Sequence, residues 1–185
     1  MPEPDPAKIM SFESPKDLGQ WLKMNHATES ELWVKIFKKN TGVPSVSWND
    51  VVMETLCWGW IDGVKKSIDG QAYLQRITPR TARSSWSKRN TEHVDRLITE
   101  ERMKEAGLVH VRAAKADGRW ENAYAVSEME VPADFLAALE DQLRVKLFFE
   151  TLNKSNRLVI AYGLTSAKKS ETRQKRFEKF REFNL

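Results

Sequence analysis

One cysteine, Cys57, occurs in 185 residues, so no disulfide forms within the chain. Its three histidines, His26, His93 and His110, are scattered over separate segments. A structural zinc site is disfavoured, and no metal or cofactor is expected. No apolar run approaches the roughly 20 residues needed to span a bilayer. The opening MPEPDPAKIM lacks the basic region and apolar core of a secretory signal. These shortages point to a cytoplasmic, reducing location and to a fold held by packing rather than staples. Charge of one sign is also in short supply. Thirty basic and 26 acidic side chains leave a net +4, too little to compel attraction to nucleic acid.

What the chain does have is tryptophan and arginine, concentrated together. Leu56 to Asn90 holds three of the seven tryptophans, Trp58, Trp60 and Trp86, with Arg76, Arg80, Arg83 and Arg89. A core segment carries fewer arginines, and a solvated surface fewer tryptophans. Aromatic walls with guanidinium forks suit a pocket for a planar or anionic ligand.

Along the chain, residues 1 to 8 hold three prolines and read as a loose lead-in. Ser14-Pro15 with Asp17 starts a helix bearing Leu18, Trp21 and Leu22, which Asn25-His26 ends. Glu31 to Phe37 reads as a strand. Ser47 with Asp50 opens a second helix, with Trp48, Val52, Thr55 and Leu56 as its apolar positions and Gly59 as its stop. Asp69-Gly70 between Trp60–Ile68 and Gln71–Ile77 signals a hairpin. Helices follow: one capped by Asn90 or Thr91 and ended by Gly107, one from about Leu108 to Asp117, and then four after Pro132. Arg119 to Glu130, with Trp120 and Tyr124, is a connection. The expected fold is α+β, with about three antiparallel strands covered by helices on one face and a helical C-terminal half. The expected division is 1–118 and 119–185, the second packed on the first, or a single domain over 10–185.

The stretches WLKMNH (Trp21 to His26), ELWVKIFKKNTG (Glu31 to Gly42), LCWGWIDGVKK (Leu56 to Lys66) and YLQRITPRTARSSWSKRN (Tyr73 to Asn90) resemble the YdeI/OmpD-associated, or bacteriocin-protection, family. So do AGL (Ala106 to Leu108), DGRW (Asp117 to Trp120) and AKKSETRQKR (Ala167 to Arg176), which extends the resemblance over nearly the whole chain. A departure stands at Tyr162-Gly163, where the family suggests a Trp-Ile-like pair. The resemblance implies a bacterial role in envelope stress or protection from antimicrobial peptides, and it supplies no catalytic residues.

The residues themselves frame three functions. In the first, Trp58, Trp60 and Trp86 wall a pocket, Arg76 and Arg80 hold an anion, and Asp62, Ser87 and Asn90 orient the ligand. In the second, an enzyme uses Asp62 as general base with Arg76 and Arg80 stabilising an oxyanion. Ser84, Ser85 and Ser87 lack the glycine-framed elbow of a serine nucleophile. In the third, the basic C-terminal helix, with Lys168, Lys169, Arg173, Lys175, Arg176, Lys179 and Arg181, binds nucleic acid weakly. Each has a plainer counterpart: tryptophans as core filling, an Asp62–Arg76 ion pair, Asn90 as a cap, and Phe177, Phe180 and Phe183 as a packing face. Cys57 reads as an inert buried thiol.

Overall fold

The computed structural model describes residues 3–82, 84–123, 129–167 and 169–182. Arg83, Tyr124, Lys168 and Phe183 lie outside the described residues. The chain divides into two compact units, Met1–Ala123 and Tyr124–Leu185.

The first unit is built on a mixed sheet whose strands run in the order β1 (Ile9–Ser11), β2 (Leu32–Phe37), β4 (Ala72–Pro79) and β3 (Trp60–Ser67). Among the described residues that makes four strands rather than three. The added one, β1, lies in what reads from sequence as a loose lead-in. It runs parallel to β2, pairing Ile9 with Trp33 and Ser11 with Lys35. Three residues are too few for a period to show, and the partner is more than twenty positions away.

Helix α1 (Pro15–Asn25) begins with a capping box between Ser14 and Asp17 and has His26 as its C-cap. Helix α2 (Trp48–Cys57) has the same device at Ser47 and Asp50. Its end is set by Gly59, whose φ of 71° is left-handed backbone that glycine adopts freely. Leu18 and Leu22 of α1, Val51 of α2 and Leu32, Val34, Ile36, Trp60 and Ile77 of the sheet form one core cluster. Val52, Met53, Leu56 and Cys57 point the other way, into a second cluster with Trp86, Val94 and Leu97 of α3 (Lys88–Thr99) and Val111 and Ala114 of α4 (Glu105–Ala116). Helix α2 is therefore the middle layer, buried on both sides.

The hairpin turns where Asp69-Gly70 predicts it. Asp69 Oδ1 accepts the amides of Gln71 and Ala72, at 2.7 and 2.8 Å, and these bonds hold its carboxyl below the ordinary aspartate range. The register is not uniform. Asp62 pairs with Ile77, yet Lys65 pairs with Gln75, so a bulge lies between them. The side-chain amide of Gln75, itself buried, donates to the Gly63 carbonyl at 2.9 Å and satisfies backbone the bulge leaves unpaired.

Two helix boundaries differ from expectation. Ser87 rather than Asn90 or Thr91 caps α3, and Asn90 is its third residue, donating its amide to Ser87 Oγ at 3.2 Å. The helix stops at Thr99, and Glu101 turns the chain with a φ of 54°. Gly107 does not end it; Gly107 sits in the first turn of α4, where a Cβ would lie 2.6 Å from the carbonyl oxygens of both Leu56 and Cys57. Glycine is there so that two helix ends can touch.

The second unit is helical: α5 (Ala133–Glu140), α6 (Leu143–Thr151), α7 (Lys154–Thr165) and α8 (Ser170–Arg181). Phe135, Leu139, Ile160 and Leu164 form its core, with Phe177 and Phe180 packed against them. At the Tyr162-Gly163 departure, a Cβ on Gly163 would come 2.8 Å from the Phe180 ring, so the glycine admits that ring against α7. No helix among the described residues is long and apolar enough to cross a membrane.

Candidate functional site

The eight residues singled out in sequence are distributed over several places. Trp60 is in the first core cluster, its indole N–H donating to the His26 carbonyl at 3.1 Å and its ring edge-on to Trp21. Trp58 is half-buried between the two cores of the first unit, with the His26 ring 4.9 Å from its own. Arg76 and Asp62 do not pair. Asp62 stands opposite Ile77, and side chains alternate across a strand, so Arg76 projects from the other face. There its Nε and Nη2 both donate to Glu31 at 2.7 Å. Asp62 is held instead by Trp48, whose indole N–H donates to its Oδ2 at 3.1 Å. The acid–base arrangement of Asp62 with Arg76 is not assembled.

Arg80 and Trp86 do meet. The Arg80 guanidinium lies 3.8 Å over the Trp86 ring, and its Nη1 donates to the Ser85 carbonyl at 3.2 Å. Arg119, paired to Asp117, donates to the Ser84 carbonyl at 2.8 Å, and Trp120 packs 5.0 Å from Trp86. Arg80 and Trp86 are only 5% and 3% exposed, so this stack pins a loop to the end of α4 instead of opening as a walled pocket. Burial, then the charges of Arg80 and Arg119, hold the His110 pKa below its usual range. Ser87 and Asn90 adjoin the stack as cap and third residue of α3.

An open site lies at the other end of α2. A groove of about 590 Å³ is lined by Ile36, Val43, Pro44, Val46, Trp48 and Tyr73, with Lys38 and Lys39 at its border. It exists because the chain between β2 and α2 is tied at both ends. Phe37 donates its amide to Ser45 Oγ at 3.1 Å, and Val46 donates its own to the Phe12 carbonyl at 3.0 Å. The Ser47–Asp50 capping box then sets Trp48 as the first residue of α2, where its ring stays 37% exposed. Arg89 lies 5.2 Å over that ring, and Lys65 lies 4.0 Å over the ring of Tyr73. Lys38 and Lys39 thus line the groove beside two aromatic rings, Lys65 and Arg89 lie over those rings, and Asp62 fixes the Trp48 indole. Its volume falls within the range of small-molecule clefts.

Leu56 to Asn90 is where the sequence concentrates tryptophan and arginine, whereas Trp48 stands at the opposite end of α2 from Trp58. Trp48 counted as an apolar helix position, although the first residue after a cap has part of its circumference beyond the helix. Tyr73 and Lys65 sit on one face of the hairpin only after the bulge has shifted the register.

Two arginines of helix α8 are engaged within its own unit: Arg173 with Asp134 at 2.8 Å, and Arg176 with the Gly163 carbonyl at 2.8 Å. Lys175 pairs with Glu171 at 2.9 Å.

Residues 10–110 match the family model described as a domain of unknown function, DUF8412. Residues 128–182 match the model described as bacteriocin-protection, YdeI or OmpD-associated. The second match covers the C-terminal unit, whereas the tryptophan-rich motifs that suggested that family fall in the part matching the first. No curated protein and no solved structure matches the chain.

Proposed function

The chain belongs to the DUF8412 family over more than half its length and carries a YdeI/OmpD-associated segment after it, and from that premise we propose a binding module for a small, planar, anionic ligand. The observation that carries the reading is the groove beside Trp48. The exposed Trp48 ring offers a surface for stacking, and Lys38 and Lys39 at the groove with Arg89 and Lys65 over the rings supply positive charge that Asp62 only partly offsets. Stacking on aromatic faces with flanking cations suits nucleotides and phosphorylated aromatic metabolites. Protection from antimicrobial peptides, which the C-terminal family's description suggests, follows here as the response that ligand occupancy controls in the cytoplasm.

Tryptophan emission tests the reading, since Trp48 is an exposed indole on the groove. A panel of nucleotides and phosphorylated aromatics is titrated while emission and melting temperature are followed. The expected result is saturable quenching by at least one compound, lost in Trp48→Phe and weakened in Lys65→Gln. A panel that changes neither emission nor melting temperature removes the proposal.

A further inference from the structure

The second unit has a groove of its own, of about 610 Å³, and its lining is of a different kind. Met129, Val131, Leu136, Phe149, Leu152 and Leu158 supply apolar walls, and Lys154 and Arg157 stand on it as cations, against Glu130 as the single carboxylate among the described lining residues. Arg157 is held in place. Its Nη2 donates to the Glu150 carbonyl at 2.8 Å, and its guanidinium lies 5.1 Å over the Phe149 ring.

The position of the two cations is unusual. Lys154 is the first residue of α7 and Arg157 the fourth, and that first turn carries no acidic residue. Helix N-termini carry partial positive charge and favour carboxylates, so cations there stand against the helix dipole. Both are exposed. An anion seated beside them offsets the charges and the dipole at once, and the adjoining apolar walls specify what that anion must be attached to.

We propose that this groove binds a single-chain anionic amphiphile, a free fatty carboxylate, with its headgroup at Lys154 and Arg157 and its tail along Leu136, Phe149, Leu152 and Leu158. The site is separate from the groove beside Trp48 and takes a ligand of another class. Charge complementarity selects a carboxylate over a cationic or neutral head, and the apolar walls select chain length.

Calorimetric titration of the full chain with octanoate, decanoate and dodecanoate, below micelle formation, tests this without any variant. Every tryptophan lies at or before Trp120, so heat rather than emission reads this site, and failure here leaves the Trp48 proposal standing. Each methylene buried strengthens binding about fourfold, so two give about fifteenfold between octanoate and decanoate. Dodecyltrimethylammonium is expected to bind at least tenfold more weakly than dodecanoate. Lys154→Gln with Arg157→Gln, both exposed and so expected to fold normally, is expected to lose at least tenfold for dodecanoate. Absence of saturable binding, equal affinity for the cationic amphiphile, no gain with chain length, or an unaffected double variant each overturns the proposal. Binding to anionic vesicles with none to the free carboxylate overturns it as well, and assigns the face to a membrane surface.

Discussion

At the scale of single residues, two contacts decide how α2 is held. Gly107 faces the carbonyl oxygens of Leu56 and Cys57, while a Cβ on Gly59 would lie 2.4 Å from the Ala106 carbonyl oxygen. The two glycines interlock the end of α2 with the start of α4. Alanine at position 107 gains about 1 kcal/mol in helix propensity, but its Cβ meets backbone that cannot rotate away, which costs about 3 kcal/mol. Gly107→Ala is therefore expected to lose about 2 kcal/mol, read as a lower urea midpoint. Nearby, Glu54 is paired with Arg102 at 2.7 Å, yet burial raises its carboxyl above the ordinary value of 4.5, the arginine only partly countering it. The folded state thus takes up this proton before the unfolded state does. Glu54's contribution to stability improves as pH falls through its raised pKa and levels off below 4.5. Arg102→Met leaves that carboxylate without its partner and is expected to cost about 1–3 kcal/mol at pH 7. The cost shrinks as Glu54 is protonated, and urea titrations at several pH values measure it. A cost that grows on acidification contradicts the assignment. The neighbouring Cys57 thiol is pushed up to about 12 by burial, as befits an inert core sulfur.

At the scale of elements, start signals were well written in the sequence and their uses were not. Ser14, Ser47 and Ser87 all cap helices, because a short hydroxyl side chain can accept an amide the helix cannot pair. The Ser87 hydroxyl, a candidate ligand contact by sequence, is engaged by the Asn90 amide. Ser87→Ala is expected to cost about 1 kcal/mol of stability, with the melting temperature as readout and Ser87→Asp restoring it. Helix α8 reads as basic, but Phe177 and Phe180 pack inward and Arg173 and Arg176 are bound within the unit. Its aromatic rings are therefore not available for base stacking. DNA binding is expected to be weak at low salt and gone near about 150 mM, where the Debye length is about 8 Å. Anisotropy at two salt concentrations checks this, and retention at the higher one makes nucleic acid a genuine partner.

At the scale of the whole molecule, the sheet depends on its least legible strand. β1 covers the edge of β2, and Trp33, paired with Ile9, is completely buried. Deletion of residues 1–11 is expected to expose β2 as an edge, to red-shift tryptophan emission and to promote association, since an unpaired edge templates further pairing. Unchanged emission and a monodisperse variant contradict that role. What the amino-acid order determined alone was local: the two capping boxes at Ser14 and Ser47, the Asp69-Gly70 turn, the strand at Glu31 to Phe37, and the helical character of the C-terminal half. Each rests on groups within about four residues of one another, so a window of sequence contains both partners. What only the tertiary structure decided was which face each residue took and who stood opposite. Strand alternation put Asp62 and Arg76 on opposite faces, one extra residue in β3 set Lys65 over Tyr73, β1 found a partner more than twenty positions away, and Trp48 was left open at the tip of α2. Those outcomes follow from register and packing between distant segments, where a shift of a single residue reverses the side on which every later side chain emerges.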